Sequence, residues 1–385
     1  MLNERTRLWS IIACIASTMT VSITLGITWP LLAIVLERQG VPPWLNGLSA
    51  SAQTLAVLAV VPFAPRLIGA FGIVRMVAIG IAITVACLVL LPLFPNVWAW
   101  FPIRFALGFG EELVFISTDV WINQLARDNT RGRLIGTYGM FLLAGFAIGP
   151  VALMTFGSEN WTVLYIGIAV VLFGLLPLVA ARGTTPAIEG EPRARLRYYL
   201  RVATTLMVAG LMFGLINSSV ESLLTVYGLE KGLDEGSATF LLLLLVIGSI
   251  LGQLPSGWLA DHYDHVHILA ASCALTLLSM AMLPLAIEYP ALKWPVMLTL
   301  GASIGAFYVV AMTMMGQRYR GAELIGINTS FIFFWGIGSA AGPTLSGSAI
   351  TLLGPDGMPA VGVVLCVAFL TVCVRQIRRD KQAES

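Results

Sequence analysis

R-F-A-L-G-F-G-E-E-L-V-F-I-S-T-D-V-W-I-N-Q-L-A-R-D-N-T-R-G-R, residues 104–133, sets Arg104, Glu111, Glu112 and Asp119 into an otherwise apolar run. With the apolar residues before it, the run is long enough for a helix crossing a hydrocarbon core of about 30 Å. An ionisable side chain at the centre of such a helix costs about 2.5–3.5 kcal/mol on insertion scales, so it persists where it faces protein or a water-filled cavity. The stretch therefore reads as a spanning helix that does chemistry.

The rest of the chain agrees with a membrane setting. Of 385 residues, 58% are hydrophobic and 11% charged, where soluble domains carry about 25% charged residues. Mean hydropathy is +0.88. The apolar runs approach 20 residues, the length of helices and about twice that of barrel strands. All five cysteines lie inside apolar runs without metal-ligand or disulfide spacing, and they read as buried thiols. The net charge of +2 says little about partners, because its distribution matters more than its sum, and nucleic acid is not indicated. Arg5 and Arg7 precede the first apolar run, and no small-residue cleavage pattern follows it. That run reads as a first span.

Breaks between apolar runs predict twelve helices, at 8–36, 45–66, 76–94, 97–126, 134–156, 161–181, 202–227, 237–260, 268–287, 295–316, 324–353 and 360–374. Basic residues test the count. Eighteen of the 22 Lys and Arg fall in alternate loops or at the termini, among them Arg66, Arg75, Arg127, Arg131, Arg133 and Arg318. Arg38, Lys231 and Lys293 fall on the opposite side, and Arg104 lies within a span. Positive charge accumulates on the cytoplasmic side, so both termini are expected there, in a multi-pass protein of the cell inner membrane. The Pro-, Gly- and Arg-rich segment 182–201 is the expected linker between a six-helix half at 1–181 and another at 202–385.

The halves repeat. L-I-G at 134–136 leads to G-F-A-I-G-P at 145–150, and L-I-G at 324–326 leads to G-S-A-A-G-P at 338–343, so the fifth and eleventh helices correspond. Repeats of this kind build secondary transporters, with the solute site at the repeat interface near the midplane. The expected fold class is thus all-α integral membrane, with twelve transmembrane helices in two pseudo-symmetric halves.

At this point the chain resembles the major facilitator superfamily, and within it the YcaD-like branch of bacterial transporters. The resemblance rests first on G-W-L-A-D-H-Y-D-H at 257–265, similar to the family loop G-x-L-A-D-R-x-G-R. Gly257, Leu259, Ala260 and Asp261 match, while His262, Asp264 and His265 depart. The corresponding loop P-R-L-I-G-A-F-G-I-V-R at 65–75 keeps Gly72 and Arg75 and departs at Pro65 and Gly69. The resemblance implies a gating role for Gly257, Asp261, Gly72 and Arg75, with Asp261 accepting hydrogen bonds in a conformational latch and Gly257 permitting close helix approach. R-F-A-L-G resembles the fourth-helix motif. The glycine-proline motifs, Gly145, Gly149 and Pro150 with Gly338, Gly342 and Pro343, resemble the fifth-helix signature associated with antiporters; close packing through small residues accounts for them nearly as well.

At about 100° per residue, with Arg104 at zero, Glu111 falls near −20°, Thr118 near −40°, Asp119 near +60°, Glu112 near +80° and Asn123 near +100°. One polar stripe is expected. Arg104 and Asp119 are about 22 Å apart along the axis at about 1.5 Å per residue and cannot neutralise one another. The adjacent carboxylates Glu111 and Glu112 near mid-depth suit a proton carrier, with Asp119 nearer the cytoplasm. In the resembling fold Glu221, in G-L-I-N-S-S-V-E-S with Asn217, would line the cavity from the seventh helix, where it either pairs with Arg104 across the halves when the outside is closed or faces a different water pocket. Aromatics such as Trp121, Tyr138, Phe331 and Trp335 either pack, anchor at the interface or stack on a solute. His262, His265 and His267 share one inner turn but fit no ligand spacing, and no metal is expected.

The sequence thus predicts a proton-coupled transporter that needs no cofactor and acts as a monomer in the lipid bilayer. Four acids against one base inside the spans favour a small cationic or neutral solute over an anion. Efflux by proton antiport leads, with uptake by symport as the alternative. A transport-inactive sensor or scaffold and an intramembrane enzyme are readings from other classes. The enzyme lacks any nucleophile–base pair or H-E-x-x-H spacing.

Overall fold

The computed structural model describes residues 4–125, 131–180, 198, 201–319 and 321–384. Most of the 182–201 segment, Arg127 and the side chains of Arg131 and Arg133 lie outside the described residues. The described residues form α1 (Glu4–Arg38), α2 (Pro43–Val60), α3 (Ala64–Phe71), α4 (Ile73–Leu93), α5 (Val97–Leu125), α6 (Arg131–Phe156), α7 (Thr162–Ala180), α8 (Thr204–Glu230), α9 (Glu235–His262), α10 (His265–Glu288), α11 (Pro290–Arg318), α12 (Gly321–Leu353) and α13 (Gly357–Glu384). Leaving out α3, these are the twelve spans of an all-α membrane protein. By length and composition, α1, α4, α6, α8, α9, α10, α11 and α13 are each long and apolar enough to cross a membrane. The more polar α2, α5 and α12 and the short apolar α7 complete the set.

The second span ends earlier than the sequence predicts. In V-P-F-A-P-R the ring of Pro62 offers no N–H to continue the ladder, so α2 stops at Val60 and the chain turns into the eight-residue α3. Ile68 of α3 is buried, while Arg66 and Phe71 are exposed. Gly72 then joins α3 to α4 at φ 77°, a backbone region open to glycine at little steric cost. Further along, Asp234 caps α9 by accepting from the Ser237 amide at 3.0 Å. Asp264 caps α10, accepting from the amides of Val266 at 3.0 Å and His267 at 3.1 Å, so a two-residue turn joins α9 to α10. Prolines inside spans, such as Pro30, Pro102, Pro150 and Pro343, are accommodated without ending their helices.

The chain divides into two compact units, Met1–Leu36 with Ala52–Glu191 and Glu37–Ser51 with Pro192–Ser385. In the first, Val77 and Ile81 of α4 pack with Val114 and Trp121 of α5. In the second, Leu206 and Met207 of α8 pack with Ala311 and Met315 of α11 and Phe331 of α12. Residues 37–51 pack within the second unit. Ser51 shares a hydrogen bond of 2.7 Å with Thr344, and the Trp44 amide donates to Thr351 Oγ1 at 3.0 Å.

With no hydrophobic drive between helices in lipid, association relies on close backbone approach at small residues, and here it follows the same register in both units. A Cβ at Gly108 of α5 would collide with the Gln53 carbonyl of α2; at Gly301 of α11, 193 residues on (301 against 108), it would collide with the Leu245 carbonyl of α9. Gly145 and Gly149 of α6 pack on the α1 backbone at Met19 and Gly26. Gly338 and Gly342 of α12 pack on the α8 backbone at Leu211 and Leu215. Thr84 lies against Gly110, and Thr276 donates to Ser303 Oγ at 2.9 Å. These pairs fix an internal register of 192 to 193 residues (276 against 84, 303 against 110).

Candidate functional site

The polar stripe on α5 splits into two flanks. Arg104, Glu111 and Thr118 are buried, at 1%, 2% and 0% exposure, facing neighbouring helices of their own unit. Asp119 and Asn123 are exposed and Glu112 is half-buried. The split follows from the angles. The three buried side chains span about 40° on one edge and the other three about 40° on the opposite edge at about 100° per residue, so a neighbour covering one edge leaves the other open.

The buried edge meets Gln53 of α2, itself 2% exposed. Arg104 Nε donates to Gln53 Oε1 at 3.4 Å, a long bond, and Gln53 Nε2 donates to Glu111 Oε2 at 2.9 Å. One amide thus bridges a guanidinium and a carboxylate two helical turns apart on α5. Glu111 Oε1 is buried and has no hydrogen-bond partner among the described residues. The adjacent carboxylates Glu111 and Glu112 do not share one site, because consecutive helical residues point about 100° apart.

Nearer the end of α5, hydroxyls converge on Asp119. The Tyr138 hydroxyl of α6 donates to Asp119 Oδ1 at 2.7 Å. The phenol oxygen of Tyr138 lies 3.1 Å from Thr118 Oγ1 and accepts from Thr18 Oγ1 of α1 at 3.2 Å. Thr18 also donates to Thr118 Oγ1 at 2.9 Å, and Cys14 Sγ donates to the Thr118 carbonyl at 3.2 Å. Three helices therefore hold one exposed carboxylate through a buried phenol. Asn123 donates from Nδ2 to the Asp119 carbonyl at 2.8 Å.

The second unit shows what this frame needs for packing alone. In the internal register Gln53, Arg104 and Glu111 fall on Leu245, Met297 and Ile304, all buried; Thr18, Thr118 and Tyr138 fall on Gly210, Ala311 and Phe331, also buried. Asp119 falls on Met312, which packs against the apolar cluster of that unit. Both polar groupings thus occupy positions that the second copy fills with apolar side chains or glycine.

The remaining expected residues lie on other helices. Glu221 of α8 is half-buried and accepts from Asn217 Nδ2, one turn away, at 2.8 Å. Trp335 is half-buried, with a buried indole N–H that has no partner among the described residues. Asp261 and Arg75 are exposed. Gly257 has ordinary space around it, the nearest atom to a built Cβ being Val309 Cγ1 at 3.8 Å; the close approach of α9 to α11 occurs earlier, where Gly248 meets Leu298 and Gly252 meets Ala302. The histidines serve the turn itself. His262 stacks on Trp258 with centroids 4.7 Å apart, and His267 Nδ1 lies 2.8 Å from the capping carboxylate of Asp264. Partial burial works to raise the Asp264 carboxyl, but bonds from the His267 ring and the Val266 and His267 amides outweigh it and hold the group below the usual carboxylate range.

Sequence reasoning missed Gln53, Thr18 and Cys14. A glutamine inside the apolar run of the second span was the available signal for Gln53. Thr18 and Cys14 carry none, because small polar residues are common in membrane helices. Also missed was the ion pair of Arg38 with Glu235, in which Arg38 Nε lies 2.6 Å from Glu235 Oε1.

The family model of the Major Facilitator Superfamily matches residues 14–343. The chain is 25% identical over 343 residues, 87% of each protein, to the uncharacterized MFS-type transporter Ent638_1421 of Enterobacter sp. (strain 638). It is 26% identical over 319 residues, 82% of each, to the uncharacterized MFS-type transporter YcaD of Salmonella typhi. Among solved structures, a mutant of the nucleoside transporter NupG superposes with a TM-score of 0.81 at 12% identity, covering 95% of this chain and 99% of that one. A bacterial homolog of the human lysosomal transporter Spinster, in an inward-facing and unoccupied conformation, gives 0.73 at 13% identity, covering 98% and 99%.

Proposed function

The chain belongs to the Major Facilitator Superfamily, and from that premise we propose that it exports a small cationic or neutral organic solute in exchange for protons. The family makes it a membrane transporter and not an enzyme. The coupling and direction are our reading, and one observation supports the coupling. The first unit places carboxylates, an arginine, a glutamine and a phenol in a frame that the second unit fills with apolar residues or glycine. Packing does not require these groups, and groups in membrane helices that packing does not require are retained for ion or solute chemistry.

In this reading Asp119, exposed and held by Tyr138, exchanges between a proton and the cationic or polar group of the solute. Glu112 and Asn123 flank it, and Asn217, Glu221 and Trp335 contribute from α8 and α12. Glu111, bridged to Arg104 through Gln53, carries protons with Asp119. Glu221 serves the outer gate, and Asp261 with Gly257, Gly72 and Arg75 the inner one. The protein works as a monomer in the cell inner membrane, with both termini cytoplasmic and the proton gradient as its drive.

A thermal-shift screen of organic cations and neutral polar solutes on purified protein tests the site. Hits that stabilise the wild type at pH 8 and lose the effect in Asp119→Asn support the reading. Hits that stabilise both proteins equally would remove Asp119 from it.

A further inference from the structure

Gln53 lies on a helix that no reading of α5 includes, yet it touches both charged residues of the buried edge. Its orientation is set by chemistry. Arginine carries only donors, so the Gln53 carbonyl oxygen must face Arg104, which turns the NH₂ toward Glu111. The contacts of 3.4 Å to Arg104 Nε and 2.9 Å to Glu111 Oε2 follow that arrangement.

Resting on the proton-coupled reading above, we propose that Gln53 is the positioning residue of the coupling site, fixing Glu111 through Oε2 so that Oε1 is the atom that takes up and releases the proton. Oε1 is buried with no hydrogen-bond partner among the described residues, whereas Oε2 accepts the amide N–H in either protonation state. A hydronium ion gives its proton to Oε1, an O–H bond forms, and water departs; the carboxylate becomes neutral and the Gln53 bond survives. Release is the reverse step, to water on the other side. The cluster therefore alternates between a balanced Arg104–Glu111 pair and a single positive charge, without rebuilding its hydrogen bonds.

Among the described residues, few charged or titratable groups lie near Glu111. Arg104 and Glu112 come from α5, Cys87 comes from α4, and Gln53 from α2 is neutral. A purely structural role for Gln53 is weakened by the second unit, where Leu245 presents its carbonyl to Gly301 as Gln53 does to Gly108. The packing frame accepts a leucine at this place.

The test uses the proton itself as probe and needs no identified solute. The protein in nanodiscs is titrated between about pH 4 and pH 10, a range spanning carboxyl and perturbed-carboxyl ionisation, while infrared absorption of protonated carboxyl groups is recorded. The Glu111 band is the one missing from Glu111→Gln. In Gln53→Leu and in Gln53→Asn, whose amide is one methylene too short to bridge, the midpoint of that band is expected to move by about one pH unit or more, a tenfold change in proton affinity. A band that titrates in the wild type with the same midpoint in both variants overturns the role of Gln53 and leaves the coupling reading standing. A wild type with no titrating Glu111 band removes Glu111 from the coupling reading, and the present proposal with it. If Gln53→Leu does not fold, Gln53→Asn alone decides.

Discussion

Tyr138→Phe removes one oxygen from the network around Asp119 and leaves the ring, so its consequences can be worked out in advance. The hydroxyl donates to Asp119 Oδ1 at 2.7 Å, within the short range of charge-assisted O–H···O⁻ bonds. Hydrogen bonds to charged groups contribute about 1.5–3 kcal/mol, and each 1.36 kcal/mol is one pH unit in a titration. Losing the bond therefore displaces the proton equilibrium of Asp119 by about one to two pH units, with a matching effect of about 10- to 150-fold on any ligand that competes for the same carboxylate. The fold should tolerate the change, since Phe331, 1% exposed, holds the corresponding place in the second unit. In proteoliposomes carrying a pH-sensitive dye, solute-driven proton flux by the variant should show a pH profile displaced by that amount. Unchanged melting in detergent would accompany it. Profiles that superimpose on the wild type, with flux intact, would refute the reasoning, because they would mean that the phenol does not act on Asp119.

Glycines offer a contrast in stability. Gly338→Ala places a methyl against the Leu211 carbonyl, and Gly149→Ala one against Gly26; both should cost about 1–3 kcal/mol or more as overpacking, visible as a clear drop in detergent melting temperature. Gly257→Ala, whose methyl would meet Val309 Cγ1 at an ordinary contact distance of 3.8 Å, should melt within the error of the wild type. Asp264→Ala removes an N-cap and should cost about 0.5–2 kcal/mol at pH 7. Because the folded-state carboxyl is depressed, the ionised form's contribution is complete above its unfolded value of about 3.9 and fades as pH falls through the folded-state value, so the variant and wild type should converge in acid-unfolding curves. Arg38→Ala and Glu235→Ala break a pair that is 35% exposed on each side, which should change stability by no more than about 1 kcal/mol. That difference should vanish in high salt.

The fold was legible because lipid imposes harsh rules on sequence. Runs of twenty apolar residues, basic residues in alternate loops and G-x-x-x-G-P at two places leave few architectures. Where a boundary was misplaced, as at Val60, the cause was the donor-less ring of Pro62, read as part of a span. The site was legible only on one side. Arg104, Glu111 and Asp119 announce themselves by their cost in hydrocarbon, and the helical wheel gave their angles. It could not show which edge a neighbour covers, so one stripe became two flanks with different partners. Gln53 and Thr18 are uncharged, their expense in a membrane is modest, and only the packing of α2 and α1 on α5 and α6 reveals what they hold. The second unit was informative in a way that no single helix is, since Leu245, Met297, Ile304 and Phe331 become comparisons once the register between the units is known.

The central claim is that protons move against solute through the acids of the first unit. The most direct test is proton movement in proteoliposomes of the purified protein, driven by an outward gradient of an organic cation selected by thermal shift. Wild-type protein should carry protons inward as the cation leaves, and Asp119→Asn should abolish that flux while still binding to membranes and folding. Cation efflux by the wild type with no accompanying proton flux would contradict the account.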